Sequence, residues 1–259
     1  MLLRERQDRI VGALRSGGAA SVRELAHSLA VSESTIRRDL DLLDGNGELT
    51  RTYGGAVLRP RETVTDSGDP HRLEGPFAQD AHLDLKERVA EAAAALVPDD
   101  SVVLLDIGTT TPLLARRLRG RPVTVLTSNL AVLDELRDDS TVRLVLMGGV
   151  LRRNYRSFVG SLTQSALAQV SADLLFLSCT GVRPSGHVVD NMAVEAPIKQ
   201  AMIAAADRVV LLATEAKFPG TGALRLCAVS EVDSVVTTTG ANPETLDLCR
   251  HAGGEVIVT

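Results

Sequence analysis

The residues best suited to bind an anion follow a short apolar run near the middle of the chain. The segment Asp106-Ile107-Gly108-Thr109-Thr110-Thr111 comes after this run, and Pro112 suits the first turn of a helix. Backbone amides and hydroxyls at a helix N-terminus favour a phosphate or another anion. The same residues could form only a turn and a helix cap. The candidates for ligand binding here are Asp106, Gly108, Thr109, Thr110 and Thr111.

Polar residues and glycines also follow other predicted strands. Because the carboxyl ends of parallel strands meet at one edge of a sheet, we expect these loops to converge on one crevice. Only three of the 28 basic residues are lysines, at positions 86, 199 and 217, which draws attention to each of them. The alternatives are a tight bend at Gly148-Gly149 and a solvated cation at Lys217. The further candidates are Thr127, Ser128, Asn129, Gly148, Gly149, Gly181 and Lys217.

Four more residues have side chains that could act on a ligand. Arg152 and Arg153 would lend positive charge to a phosphate, although solvated surface positions fit the sequence at least as well. His187 and Asp190 suggest catalysis, but they fall in a segment predicted to be irregular, and the sequence shows no partner for either. We therefore predict no catalytic residue, and we expect neither a cofactor nor a metal site.

Strands must position the candidate ligand-binding residues, because strand-length apolar runs alternate with helix-period segments from Leu83 onward. This alternation predicts an α/β fold with a largely parallel sheet covered by helices. The predicted strands are Val102 to Asp106, Val123 to Thr127, Val142 to Met147, Leu174 to Cys179, Val209 to Ala213 and Val235 to Thr238.

The N-terminal part has a different, helical pattern. Proline, glycine and charged residues without apolar periodicity follow it, as in a linker. We predict a helical domain at 1–59, a linker at 60–80 and the α/β domain at 81–259. The first helix runs from about Leu3 to Arg15, and the capping box Ser21-Val22-Arg23-Glu24 starts the second.

The third predicted helix has one apolar and one polar face. Ile36, Leu40 and Leu43 recur at helical spacing and should pack inward, and Ser32 can cap the start. Paired arginines and short hydroxyls on the other face suit a helix that enters the major groove of DNA. The polar face comprises Ser34, Arg37, Arg38 and Asp41, with Thr35 on its flank.

A hairpin with a glycine turn is predicted from Leu49 to Leu58, and it would form a wing beside the third helix. The alternative is a small helical bundle with a solvated arginine face. On the DNA-binding hypothesis, the contacting residues are Ser32, Ser34, Thr35, Arg37, Arg38, Arg51 and Tyr53.

Composition excludes several other classes of protein. No apolar stretch approaches the roughly 20 residues that span a bilayer, and charges interrupt the N-terminus where a signal peptide would be apolar. We therefore expect a cytoplasmic protein. Three cysteines without metal-binding spacing are predicted to be reduced packing residues. A net charge of −5 and the lack of basic tails argue against an architectural DNA-packing protein.

Two long patterns resemble the DeoR family of bacterial regulators. The N-terminal pattern joins Arg6, Ile10 and Leu14 to Ser32, the run from Thr35 to Leu40, and a wing motif Arg-Thr-x-Gly-Gly-Ala. The C-terminal pattern, over about Leu83 to Val258, comprises Asp-x-Gly-Thr-Thr, Thr-Ser-Asn, Met-Gly-Gly, Glu-Ala-x-x-Lys and Lys-Phe.

The resemblance implies a winged helix-turn-helix followed by a sensor domain similar in fold to ribose-5-phosphate isomerase and the CoA-transferase group. It also implies double-stranded operator DNA as a partner, a phosphorylated sugar or related metabolite as effector, and repression of a carbohydrate operon. The chain departs from the family where Tyr53 replaces a common His, Arg183-Pro184 a common Asp-Gly, and Thr214 a common Asp.

The alternative function is a sugar-phosphate isomerase with an appended DNA-binding domain. Such an enzyme needs a positioned carboxylate base. By the resemblance, the isomerase glutamate falls near Lys199, and its paired aspartates fall in the altered region from Val182 to Ser185. We therefore predict a regulator and not an enzyme. We also expect a dimer or larger homo-oligomer, since one recognition helix reads few base pairs.

Overall fold

The chain divides into two units, Met1–Val64 and Thr65–Thr259. The computed structural model describes residues 6–7, 9–10, 13–14, 19–45, 49–52, 55–58 and 82–259. The predicted linker at 60–80 and the wing residue Tyr53 lie outside the described residues.

The N-terminal unit contains the predicted helices and wing. Its elements are β1 (Ala19–Ser21), α1 (Val22–Leu29), α2 (Glu33–Gly45), β2 (Leu49–Thr52) and β3 (Gly55–Leu58), and the described residues at 6–14 are also helical. The predicted capping box is present: the Glu24 amide donates to Ser21 Oγ at 3.2 Å, and the Ser21 amide donates to Glu24 Oε2 at 2.8 Å. Strand β1, which the sequence analysis did not predict, pairs with β3.

The core of this unit is formed by the apolar face predicted for α2. Ile36 and Leu40 are fully buried, and they pack in one cluster with Ile10, Leu14 and Leu25. Since helix propensity alone leaves short helices marginal, this packing is what stabilises the three helical segments.

Replacing Leu40 by alanine is expected to lower the free energy of unfolding of the N-terminal unit by about 2 to 5 kcal/mol, because a cavity replaces a buried side chain. Leu42→Ala is the matched control, since Leu42 lies on the same helix but is 51% exposed, and its effect should stay within about 0.5 kcal/mol. Urea unfolding of both variants measures the difference. Equal stabilities would show that the apolar face is wrongly assigned.

The C-terminal unit is built on a seven-stranded parallel sheet. Its strand order is β15-β14-β12-β9-β4-β5-β6, formed by β4 (Val102–Leu105), β5 (Thr124–Thr127), β6 (Arg143–Leu146), β9 (Ala172–Ser178), β12 (Ala206–Leu212), β14 (Ser234–Thr237) and β15 (Glu255–Val258). All six predicted strands are present with ends shifted by at most three residues, which confirms the α/β prediction. Edge strand β15 was not predicted.

Helices cover both faces of this sheet. They are α3 (Leu83–Ala94), α4 (Thr111–Leu118), α5 (Leu130–Leu136), α6 (Ser161–Leu167), α7 (Ala196–Ala204) and α8 (Pro243–His251). Alternate strand residues point to opposite faces, so Leu104 packs in the cluster with α6, α7 and α8, whereas Val103 and Leu105 pack with α3, α4 and α5. The three cysteines are buried and unbonded, as predicted.

Short strands form two further sheets. They are the hairpin of β7 (Val150–Arg152) and β8 (Ser157–Val159), and the antiparallel sheet of β10 (Gly181–Val182), β11 (His187–Asp190) and β13 (Leu224–Ala228). The prediction that His187 and Asp190 lie in an irregular segment is therefore wrong, because both belong to β11. In the part of the chain that the structure describes, no helix combines the length and apolarity needed to cross a membrane.

Candidate functional site

A cavity of about 160 Å³ opens at the carboxyl ends of the central strands β4, β9 and β12. All three lysines of the chain line this cavity, although arginine is the basic residue almost everywhere else in the sequence. The lining comprises Lys86, Ile107, Gly108, Thr109, Thr110, Tyr155, Ser178, Cys179, Thr180, Asp190, Met192, Lys199, Leu212, Ala213, Thr214 and Lys217.

The loop after β4 forms one side of the cavity. Gly108 has a φ of +136°, and an added Cβ would lie 2.8 Å from Ser178 Oγ, so this position requires glycine. Thr109 and Thr110 follow at the start of α4. The ammonium of Lys86, on α3, donates to Thr109 Oγ1 at 2.7 Å. This loop combines backbone amides, hydroxyls and a cation, which is the chemistry that binds phosphate.

A buried charge cluster forms the floor behind the end of β9. The Lys199 ammonium is 2% exposed, contacts Asp106 Oδ2, donates to the Ser178 carbonyl at 3.0 Å and lies 3.7 Å from Asp190 Oδ2. Burial alone would lower the pKa of Lys199, but the two carboxylates outweigh it, so the pKa is raised and the ammonium stays charged. The Ser178 amide also donates to Asp106 Oδ2, at 2.9 Å.

Lys217 lies on the side of the cavity formed by the end of β12. It belongs to a short 3-10 helix, Glu215–Lys217, that follows Thr214. Within the described part of the chain, the Lys217 ammonium has neither an ion pair nor a hydrogen bond to another residue, and this side chain is half-buried. It is therefore available to a ligand.

The structure brings only part of the predicted set to the cavity. Gly108, Thr109, Thr110 and Lys217 line it. Eight predicted residues do not: Asp106, Thr111, Thr127, Ser128, Asn129, Gly148, Gly149 and Gly181. Asp106 contacts two of the lining residues, Lys199 and Ser178.

The other seven hold the surrounding loops together. The Thr111 hydroxyl donates to the Asp106 carbonyl at 2.8 Å, and the Thr127 hydroxyl donates to the Leu105 carbonyl at 2.8 Å. Asn129 caps α5 by accepting from the Ala131 amide at 2.9 Å, and the adjacent Ser128 is fully buried. The Gly148 carbonyl accepts a hydrogen bond from Thr163 Oγ1. Gly149 and Gly181 allow close packing: an added Cβ at Gly149 would lie 2.1 Å from Thr163 Oγ1, and one at Gly181 would lie 2.4 Å from Gly220 Cα.

A buried ion pair supports the aromatic wall of the cavity. Arg152 is 4% exposed and donates to Glu195 Oε1 at 2.6 Å, and Ser157 Oγ donates to the same oxygen at 2.8 Å. The guanidinium also lies 4.2 Å from the centre of the Tyr155 ring. The solvated position considered for Arg152 is therefore wrong, whereas Arg153 is exposed.

Sequence reasoning did not identify several of the lining residues. Lys86, Lys199 and Asp190 come from elements far apart in the chain, so their contacts have no local sequence signature. The rarity of lysine was the one available signal. Tyr155 and Met192 lie outside the loops that the strand pattern located.

The cavity offers no activated thiol. Burial raises the pKa of the Cys179 thiol to about 11, so this side chain is protonated near neutral pH and is a poor nucleophile. Among the described residues, no group of three His, Cys, Asp or Glu side chains is arranged to hold a metal ion.

Helix α2 in the N-terminal unit presents the candidate DNA-contacting face. Ser34, Arg37 and Arg38 are exposed, and Thr35 is half-buried. The Thr35 amide donates to Ser32 Oγ at 3.2 Å, so Ser32 caps the helix. Arg37 pairs with Glu33 at 2.8 Å, and both side chains are about half exposed.

The inner side of α2 is fixed by an ion pair between Arg6 and Asp39, at 2.5 Å, in which Asp39 is 2% exposed. Arg51 lies on β2 opposite Ala56, although its side chain is outside the described residues, as is Tyr53. The exposed arginines therefore lie on the face that the sequence analysis predicted.

Comparison with known proteins finds a matching domain family for each of the two units. Residues 6–62 match the model of the DeoR-like helix-turn-helix domain, and residues 81–239 match that of the DeoR C terminal sensor domain. The chain is 32% identical to the L-fucose operon activator of Escherichia coli (strain K12) over 234 residues, 90% of this chain and 93% of the relative. It is 28% identical to the HTH-type transcriptional repressor GlcR of Bacillus subtilis (strain 168) over 263 residues, 100% of this chain and 97% of the relative.

Among solved structures, ribose 5-phosphate isomerase A from Methanocaldococcus jannaschii aligns with a TM-score of 0.39 and 20% identity, over 53% of this chain and 55% of that one. The family assignment rests on the two domain models and on the near full-length relatives. The chain belongs to the DeoR family of DNA-binding transcriptional regulators.

Proposed function

We propose that the cavity binds a small phosphorylated metabolite and that this ligand controls the affinity of the N-terminal unit for operator DNA. The observation that carries this proposal is the convergence of all three lysines on a cavity that also contains a glycine-threonine loop at a helix start. Lys86 and Lys217 each bring an ammonium group to the cavity, and the Lys86 ammonium lies beside the Thr109 hydroxyl of this loop. Such a site favours a phosphate over a neutral ligand.

A phosphorylated sugar fits the remaining chemistry of the cavity. Thr180, Thr214 and Asp190 can exchange hydrogen bonds with sugar hydroxyls, and Tyr155 can pack against the carbon skeleton. The relative named for the L-fucose operon supports a role in sugar metabolism. One relative is named an activator and another a repressor, so the names of the relatives do not decide the sign of control. We keep repression as the predicted sign, on the family resemblance alone.

A thermal-shift screen of the full chain tests the ligand class. Each sugar phosphate is compared with its unphosphorylated sugar, and hits are measured by calorimetry. We expect only phosphate esters to raise the melting temperature, because a ligand that binds the native state stabilises it. Stabilisation by the unphosphorylated sugars to the same extent would contradict a phosphate site.

The same ligands test the enzyme alternative. Asp106 and Asp190 face the charged Lys199, so we propose that neither serves as an isomerase base. We expect no isomer conversion by NMR after prolonged incubation with the purified chain. Conversion that disappears in an Asp190→Asn variant would establish an enzyme.

Replacing Arg38 by alanine is expected to weaken binding to a specific DNA site by about 1 to 3 kcal/mol, because its exposed side chain would contact a base edge. Duplexes selected by the full chain from a random-sequence library provide the probe for fluorescence anisotropy. Arg23→Ala is the control, since Arg23 is an exposed arginine on α1. Equal losses of DNA affinity for both variants, on specific and random DNA alike, would show that α2 is not the recognition helix.

We propose that the chain binds DNA as a dimer or larger homo-oligomer, because symmetric half-sites multiply the few contacts of one recognition helix. Mass photometry of the complex with a selected duplex measures this directly. A complex containing one chain at saturating specific binding would contradict it.

A further inference from the structure

We infer that two copies of this chain associate through the β6 edge of the seven-stranded sheet, about a two-fold axis. This inference rests on the proposed homo-oligomer and names the surface through which its chains meet. The surface, which we call the β6 edge patch, comprises the outer edge of strand β6 and the exposed side chains of Val145, Val150 and Leu162.

Three large apolar side chains are exposed at this edge. Leu162, on α6, is 70% exposed, Val150, on β7, is 56% exposed, and Val145, on β6, is also exposed. Val145 pairs with Leu126, which belongs to the core cluster of α6, so Val145 points to the α6 side of the sheet. Because soluble chains rarely expose apolar side chains in groups, this group marks a surface that a partner covers.

Contacts between the loops bring the three side chains to one part of the surface. In the loop after β6, the Gly148 carbonyl accepts from Thr163 Oγ1 at 2.9 Å, and Thr163 is next to Leu162. A Cβ added at Gly160, which directly precedes α6, would lie 3.7 Å from Val150 Cγ2. Strand β6, hairpin β7–β8 and the start of α6 therefore form a continuous surface.

The edge of β6 lacks the usual protection against pairing. Strand β6 is the last strand on its side of the sheet, and within the described part of the chain no strand pairs with its outer edge. Proteins commonly protect such an edge with charged residues. In β6 only Arg143, the first residue, is charged. The opposite edge strand β15 begins at Glu255 and packs beside α8, which carries Asp247 and Arg250.

The absence of charge around the patch favours a second copy of the chain as its partner. Residues 144–151 and 157–172 contain no Asp, Glu, Lys or Arg, although these residues make up 24% of the chain. In a two-fold contact identical surfaces face each other, so a patch with net charge would repel its own copy. An uncharged apolar patch avoids this repulsion, and it is unsuited to DNA, which binds basic surfaces.

A two-fold axis also satisfies the backbone of the edge. It places two β6 strands antiparallel, so outward N–H groups of one copy can donate to carbonyls of the other. In the symmetric register Arg143 of one copy lies opposite Leu146 of the other, which separates the two Arg143 residues by about 10 Å along the strands. A stable dimer buries about 800 Å² per chain, more than a short strand provides, so hairpin β7–β8 and α6 complete the contact.

Sedimentation velocity and mass photometry of the full chain, from nanomolar to micromolar concentration, test this inference. We expect a wild-type dimer, and we expect Leu162→Glu to raise its dissociation constant about hundredfold, because each dimer carries the change twice. An acidic side chain in the first turn of a helix is favourable, so this variant should keep its fold. Val150→Lys, which places the opposite charge on the hairpin, should have the same effect and repeats the test if the melting curve of Leu162→Glu shows unfolding.

Leu248→Glu is the matched control, since Leu248 is an exposed leucine on α8, beside the opposite edge of the sheet. It should change the dissociation constant by less than about threefold. All variants are measured alone and with a selected duplex, so an association that needs DNA is also detected.

The possible failures are distinguishable. A wild-type dimer that persists unchanged in Leu162→Glu and Val150→Lys, or that Leu248→Glu weakens equally, would overturn the β6 edge interface and leave the homo-oligomer. A wild-type chain that stays single both alone and on the duplex would overturn the homo-oligomer as well. These measurements contain no effector, so a failure of the proposed phosphate site would not alter them.

Discussion

Replacing Lys199 by methionine is expected to lower the free energy of unfolding of the C-terminal unit by about 3 to 5 kcal/mol. Asp106 is fully buried and Asp190 nearly so, and methionine would leave both carboxylates beside an apolar side chain. Urea unfolding, followed by circular dichroism, measures the loss. Because the pKa of Lys199 is raised, its contribution is complete below the ordinary lysine pKa of about 10.4 and is lost only as the pH rises above that.

Lys217→Met is the matched control for this prediction. Lys217 is only half-buried and faces the cavity, so its loss should change stability by less than about 1 kcal/mol. The double variant Asp106→Asn with Lys199→Met should recover part of the loss, since the amide leaves no charge buried at position 106. A single Lys199→Met variant as stable as the wild type would show that this cluster is not charged in the native protein.

Replacing Arg152 by methionine should also lower the free energy of unfolding by about 3 to 5 kcal/mol, because Glu195 would remain buried without its ion pair and hydrogen bond to Arg152. The adjacent Arg153 provides a close control, since it is exposed and Arg153→Met should change stability by less than about 0.5 kcal/mol. Chemical denaturation of the two variants side by side makes the comparison. Similar stabilities would contradict the buried Arg152–Glu195 pair.

Arg152 also links stability to the ligand site. Its guanidinium lies over the Tyr155 ring, and Tyr155 lines the cavity. We therefore expect a ligand identified in the thermal-shift screen to bind Arg152→Met more weakly than Arg153→Met. This difference is measured on folded protein at low temperature, where the loss of stability does not change the folded fraction.

Local patterns in the sequence predicted the strands, the helix caps and the Thr109-Thr110 loop, because each depends on residues close together in the chain. The capping box at Ser21 and the glycine at position 108 are of this kind. Strand β1 has only three residues, and edge strand β15 is only partly buried. Neither segment shows the apolar alternation from which a strand is predicted.

The charge cluster could not be predicted, since its partners are distant in sequence. Lys199 and Asp106 are 93 residues apart, and Arg152 and Glu195 are 43 apart. The direction in which side chains point at a strand end was also not predictable from the sequence. Thr127 ends strand β5 and Asn129 follows it, but the Thr127 hydroxyl donates to the Leu105 carbonyl of β4, and Asn129 Oδ1 accepts from the Ala131 amide of α5. A loop at the carboxyl-end edge of a parallel sheet therefore need not contribute its side chains to the cavity.

The link between the cavity and DNA binding is tested most directly by titrating a ligand from the thermal-shift screen into the full chain bound to a selected duplex. Fluorescence anisotropy reports DNA occupancy, and calorimetry on the same sample gives ligand affinity. We predict that DNA affinity changes over the ligand concentrations that fill the cavity, and that Lys86→Met shifts this response to higher concentration. Ligand binding with no change in DNA affinity, or a response identical in Lys86→Met, would contradict control of DNA binding through this cavity.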